Sequence, residues 1–279
     1  MKSFIFLVAL LNAISAFAYI PPVRSILEKV SDNAGNGTYV IEQEVQLNTG
    51  LDPVYLKETW VVENEKNLKV TVTGTKEYKD LVKMQFVYVG GQKWQLVDGK
   101  RESTKIPEEF AEKYFNTRNT ESLISSFQNL KILPSPLPHR KTLTKDGKPE
   151  KPETEPFLRL SRTEGVINYA LGTPTPAGAK ELNPGVWVEQ DAFVIRKIRF
   201  PTQSEITAES YASFARGLNF PKTRTIQWGS NTVYLRVLNV SGKANESFQP
   251  SSVEIPRTIR VANNPAVQSM IEEFYTRFR

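Results

Sequence analysis

Chemistry needs reactive side chains, and this sequence carries few. It has no cysteine and a single histidine, His139. Disulfides, thiol nucleophiles, thiolate zinc sites and iron–sulfur clusters are excluded. A serine-type triad would depend on His139 alone. That residue lies in a segment, 134–156, with six prolines and nine charges and no hydrophobic period, which reads as a loop or flexible insertion. Carboxylate pairs are the remaining acid–base material. Glu42 with Glu44 and Glu63 with Glu65 have the parity of one strand face, where acids are ordinarily solvated. No Asp-x-Asp-x-Asp-Gly loop, Walker A loop or Gly-x-Gly-x-x-Gly turn occurs. Gly35 to Gly37 falls between a helix and a strand, the reverse of a phosphate loop's order. The sequence therefore predicts neither an enzyme nor a metal or cofactor site.

The second class of candidate is aromatic. Trp60, Phe86, Tyr88, Trp94, Trp187, Phe193 and Tyr234 fall on segments that read as strands. They are expected to line a hydrophobic cavity that takes a ligand, or else to form the core between sheet and helices. Tyr211, Phe214 and Trp228 belong to the same aromatic load.

The elements that position them follow from hydrophobic period. Val23, Ile26, Leu27 and Val30 mark a helix opened by Pro21-Pro22. Period-two alternation follows through Tyr39–Leu47, Leu56–Val62, Leu68–Val72, Met84–Tyr88 and Trp94–Val97, with Gly90-Gly91 as a turn. This is the pattern of antiparallel strands with one dry and one wet face. Helical signal spans about 107–130, with Pro107 as a first helical residue and Phe110, Tyr114 and Phe115 on one face. Leu123, Ile124 and Phe127 mark a second helix. Strands resume at 157–160, 166–171, 186–188, 193–200, 206–214, 222–228 and 232–240. Asn264 and Pro265 then cap a closing helix with Val267, Met270, Ile271, Phe274 and Phe278 as its stripe. Eleven or twelve strands on both sides of a helical segment predict an α+β fold. Its curved antiparallel sheet forms an unclosed half β-barrel with helices on the concave face.

The N-terminus reads as an export signal. Lys2 precedes the apolar run Phe4–Leu11, and Ala16-Phe17-Ala18 fits the small-x-small cleavage rule, so residues 1–18 are expected to be removed after Ala18. The run is short for a membrane span. Formal glycosylation sequons begin at Asn36, Asn239 and Asn245, but the missing cysteines favour a bacterial periplasm. A net charge of +6, dispersed along the chain, does not suit nucleic acid.

Five stretches resemble the LolA/LolB-like superfamily of periplasmic lipoprotein carriers: the helix at 23–30, the strand WQLVDG at 94–99, the paired strands at 186–200, and the strands at 219–228 and 233–240. The resemblance covers most of 23–241. It implies a half-barrel whose cavity holds acyl chains of lipoproteins or lipids, and no enzymatic activity. It also implies an inner-membrane donor and an outer-membrane acceptor, with the carrier itself a monomer. Residues 19–241 would form the carrier domain, with its insertion at 134–156, and 242–279 a C-terminal extension ending in the amphipathic helix. A non-enzymatic envelope sensor or protein-interaction module of the same fold is the alternative, and an exported hydrolase using carboxylates the third reading.

Overall fold

The computed structural model describes residues 20–48, 53–138, 155–163, 165–243, 246–261 and 264–279. The expected export signal, His139 and most of the proline-rich segment lie outside the described residues. No helix among them is long and apolar enough to cross a membrane.

The chain begins with α1 (Val23–Asp32), which buries Val23, Ile26, Leu27 and Val30 as its period requires. A first meander follows: β1 (Thr38–Asn48), β2 (Val54–Val62), β3 (Leu68–Gly74), β4 (Val82–Val89), β5 (Gln92–Val97) and β6 (Lys100–Lys105). Two short helices come next, α2 (Ala111–Phe115) and α3 (Thr120–Asn129), the latter capped by the Asn119 side chain on the Ser122 N–H. A second meander runs through β7 (Leu158–Thr163), β8 (Val166–Leu171), β9 (Gly185–Glu189), β10 (Ile195–Arg199), β11 (Glu205–Ser213), β12 (Asn219–Trp228) and β13 (Asn231–Lys243). The two-residue β14 (Thr258–Ile259) and α4 (Pro265–Arg277) complete the order.

The meanders join through β1 and β13 into one antiparallel sheet ordered β6-β5-β4-β3-β2-β1-β13-β12-β11-β10-β9-β8-β7. It does not close on itself, so the α+β half-barrel expected from the sequence is the fold observed. A bulge opposite Glu42 and Gln43 leaves Leu238 unpaired on β13, and bulges of this kind bend a sheet. β4 and β5 pair only over Val87–Val89. Beyond that they splay, and β14 fills the gap against Val82 and Lys83 while Arg257 N–H donates to the Leu96 carbonyl (2.8 Å).

Alternate residues of the strands form a buried inner wall, among them Ile41, Val45, Leu56, Trp60, Val70, Val72, Met84, Phe86, Val186, Ile198, Ile226 and Val233. The four helices cover it. α1 lies against α3, with Arg24 paired to Glu121 at the surface. α4 starts as the sequence predicts, Pro265 being its first residue and the Asn264 side chain accepting from Val267 N–H at 3.2 Å. Its whole stripe is buried, and Phe274 and Phe278 meet the Trp228 ring at 6.3 and 5.0 Å between centroids.

Local expectations changed in four places. Pro107 does not open a helix: 107–110 is a turn closed by Phe110 N–H on the Pro107 carbonyl, and α2 starts at Ala111. β6, all of it exposed, has no apolar residue to announce it. β14 is too short for any period to show. Phe193 is not on a strand: its φ of +52° places it in the turn before β10, where the N–H donates to the Glu189 carbonyl.

Since the inner wall is dry only while α4 lies on it, Phe274→Ala is expected to cost about 3–5 kcal/mol of unfolding free energy. Tyr234→Ala on the wet face is expected to stay within about 0.5 kcal/mol of wild type. Urea denaturation of both variants checks the pair.

Candidate functional site

The inner wall is apolar except at its middle. There the strand positions that should hold hydrophobic residues hold Gln43 on β1, Glu58 on β2, Lys93 on β5 and Arg224 on β12, all buried. Glu58 and Arg279 are each 0% exposed, and the Arg279 Nε donates to Glu58 Oε1 at 3.0 Å. The other Glu58 oxygen accepts from the Gln43 amide (2.5 Å) and the Trp60 indole N–H (2.8 Å). Arg224 donates to Glu112 of α2 at 2.7 Å and to the Gln43 carbonyl oxygen at 2.6 Å. Arg279 Nη1 lies 3.7 Å from the same Glu112 oxygen. Two carboxylates and two guanidiniums thus alternate inside the barrel, with the Gln43 amide as the bridge.

Aromatic rings pack around both guanidiniums. Arg279 lies over Trp60 (5.5 Å) and Phe274 (4.8 Å), Arg224 over Phe115 (5.3 Å) and Phe220 (4.9 Å). Burial alone would raise the Glu58 pKa, but the Arg279 charge and the donated hydrogen bonds outweigh it and hold the carboxyl below its ordinary range. Arg279, against its own burial, is held above the usual value by Glu58 and Glu112.

Lys93 completes the cluster from the sheet side. Its ammonium donates to the main-chain oxygens of Tyr275 and Arg279 (2.7 Å to the latter) and sits 4.1 Å over the Phe86 ring. It thereby caps the carbonyl end of α4, where a cation is favoured. Burial, with Arg257 and Arg279 nearby, lowers its pKa to about 7. A second clamp holds the same helix nearer the surface: Arg277 donates to Glu109 at 2.7 Å, and Thr202 and Ser204 donate to the other Glu109 oxygen.

The seven aromatic candidates divide by face. Trp60, Phe86 and Tyr88 stand on the inner wall, and Tyr88 stacks on Phe110 at 4.5 Å and on Trp60 at 6.0 Å. Trp94 pairs with Val87, its neighbour Lys93 with Tyr88, so Lys93 points in and Trp94 out. Trp187 lies under Lys197 and Arg199 on the outer face. Tyr234, 44% exposed, shares an outer groove with Glu44, Gln46, Tyr55 and Arg236. Phe193 meets Tyr169 at the rim. Trp94, Trp187 and Tyr234 therefore do not line the interior. The expectation fails for them because strand parity, not the size of an apolar ring, sets the face, and inward Lys93 reverses the face of its strand.

Gln43, Glu58, Lys93, Arg224 and Arg279 were missed. For Gln43 and Glu58 a signal existed: each interrupts an otherwise apolar inward series, Tyr39-Ile41-Gln43-Val45-Leu47 and Val54-Leu56-Glu58-Trp60. Nothing local marks Arg279. Among the described residues no three His, Cys, Asp or Glu side chains converge as metal ligands would.

A LolA superfamily protein from Nitrosomonas europaea aligns with 81% of this chain and 96% of its own at a TM-score of 0.50 and 10% identity. The fold is LolA-like. An outer membrane lipoprotein-sorting protein domain from Vibrio parahaemolyticus aligns at a TM-score of 0.49 with 12% identity, over 80% of this chain and 93% of its own. A DUF1329 family protein from Desulfovibrio piger aligns at 0.49 with 11% identity, over 84% and 100%. No family model matches the sequence, and no curated protein does. The LolA-like sheet here carries α4 against its inner wall with Arg279 inside.

Removing one member of a buried pair strands the other, which costs about 3–5 kcal/mol, whereas removing both charges costs less. Arg279→Met is expected to lose that amount, and Glu58→Gln/Arg279→Met to recover part of it, in a double-mutant denaturation cycle. Lys93 gives a pH signature. Below about pH 7 it is charged in folded and unfolded chains alike, and the penalty for burying the charge is constant. Between about pH 7 and its unfolded value the unfolded chain binds the extra proton, so stability rises with pH by about 1 kcal/mol per unit. Unfolding free energies at pH 6, 7, 8 and 9 should show that rise in the wild type and lose it in Lys93→Met.

Proposed function

We propose that the protein is an exported, soluble carrier that shelters acyl chains of lipoproteins or lipids in the half-barrel, without catalysing a reaction. Residues 19–241 act as the container and 242–279 as its stopper, in a monomer that loads at an inner-membrane donor, crosses the periplasm and unloads at an outer-membrane acceptor. Cleavage after Ala18 releases it. The observation that carries the reading is the inner wall: an apolar surface on an open sheet, interrupted at its middle by Gln43, Glu58, Lys93 and Arg224, and covered by the apolar stripe of α4.

Magnitudes support an exchange. Transferring a chain of about a dozen methylenes out of water gains roughly 10 kcal/mol at about 0.8 kcal/mol each. α4 buries Val267, Met270, Ile271, Phe274 and Phe278, and at about 1.5–3 kcal/mol apiece their exposure costs roughly the same. A ligand and α4 competing for one wall at near balance gives binding that can be reversed, as a carrier needs. Trp60, Phe86 and Tyr88 are the wall residues that a chain would touch in place of α4.

The absence of cysteine makes the exchange testable. The Phe86 and Tyr275 rings lie 6.1 Å apart, one on β4 and one on α4. In Phe86→Cys/Tyr275→Cys, a bifunctional thiol reagent with an internal disulfide ties the helix to the wall and reductant frees it. Doxyl-labelled fatty acid is expected to quench tryptophan fluorescence in the reduced variant and not in the cross-linked one. Equal quenching in both states, or none in wild type, would sink the exchange.

A further inference from the structure

The wall holds more than a tail. Three of the groups that grip α4 belong to the container: Glu58 on β2, Lys93 on β5 and Glu112 on α2. Subtracting α4 leaves Glu58 with two neutral donors only, Gln43 and Trp60, because the cation facing it is Arg279. Glu112 keeps Arg224. Lys93 loses both acceptors, the main-chain oxygens of Tyr275 and Arg279. A fourth group points to the same place. The Tyr88 hydroxyl, on a fully buried ring beside Glu58, Glu112 and Arg279, has no hydrogen-bond partner. A ligand whose tail replaces the helix would thus close over an aromatic-walled recess with one uncompensated carboxylate, one ammonium without acceptors and one free hydroxyl. Leaving such groups unpaired is costly, so a ligand that displaces α4 must supply what Arg279 supplied: a cation for Glu58 and, a few ångströms away, an acceptor for Lys93.

We propose that the interior selects amphiphiles with a zwitterionic head, an ammonium adjoining a phosphate, and that Arg279 with its own main-chain oxygen occupies that head's place in the closed protein. This inference rests on the carrier reading and adds a head-group preference to it. The ammonium pairs with Glu58 over the face of Trp60, the phosphate accepts from Lys93 and the Tyr88 hydroxyl, and the tail follows the wall that α4 vacates. Long-range electrostatics work against the choice. With a net charge of +6 the protein as a whole attracts an anionic head more than a neutral zwitterion, so a zwitterion preference can come only from a local site.

The test uses the full chain and two single-chain probes of equal tail length, lysophosphatidylethanolamine and lysophosphatidylglycerol. They share the phosphate and differ in the ammonium. Calorimetric titration at low salt is expected to show the ethanolamine probe binding about tenfold more tightly, the worth of one charge-assisted pair. Glu58→Gln should abolish the difference, whatever common gain both probes draw from a less firmly held α4. Should Glu58→Gln melt below the assay temperature, Glu58→Gln/Arg279→Gln serves instead, since removing both charges costs less; it should bind the two probes alike, while Arg279→Gln keeps the tenfold preference. Equal affinities, or a tighter glycerol probe, overturn the head-group inference and leave the carrier standing. Binding of neither probe to wild type or Arg279→Gln overturns both.

Discussion

A charge inside a dry protein must have a partner, and the pair Glu58–Arg279 is where this constraint bears hardest. The two residues are 221 apart in sequence, one on the second strand and the other past the last helix. Because neither charge can stay buried alone at 0% exposure without a large penalty, their pairing fixes the depth to which α4 enters the half-barrel. Gln43 and Trp60 orient the carboxylate, Glu112 ties the guanidinium to α2, and Arg224 ties Glu112 back to the sheet. Hydrophobic contact gives α4 its affinity for the wall but little registry along it. The polar groups provide that registry, in the manner of a single buried polar residue that sets the register of a coiled coil.

The same arrangement bears on the proposed exchange. A wall of aliphatic side chains alone would hold its helix by area, without distinguishing one apolar occupant from another. With charges embedded in it, the wall would distinguish occupants by what they bring to Glu58 and Lys93. The outer clamp of Arg277 on Glu109 is accessible to water and weaker for it, so the helix has a firm inner anchor and a looser outer one.

Much of this could be read from the residues. Period-two alternation located most strands of both meanders, period 3.6 located α1, α3 and α4, and Asn264-Pro265 marked the start of α4 to the residue. β6 escaped because an edge strand of Lys, Arg, Glu, Ser and Thr has no apolar parity to detect. Faces were harder than strands. Tyr234 shares its parity with Thr232 and Arg236, which mark the wet side, yet its ring suggested the dry one. In β5 the inward residue is a lysine and the outward one a tryptophan, an inversion that only the carbonyl end of a helix some 180 residues later explains. Glu58 and Gln43 were visible as interruptions, but a polar residue in an apolar series looks like noise until its partner is known, and the partner here is Arg279.

Strand order also governs how the chain assembles. Within each meander neighbouring strands are consecutive in sequence, so hairpins such as β1–β2 and β11–β12 close over short loops and can form early. The seam between β1 and β13 joins residues about 200 apart, Thr38 facing Lys243, and it carries one of the largest entropic costs of ring closure in the molecule. Contact order therefore predicts that two half-sheets form before the seam zips, and that α4, which meets Phe86 in the first and Trp228 in the second, seats after it. On that order the helix that occupies the interior arrives last, and the apolar wall would stand open to a competing tail until it does.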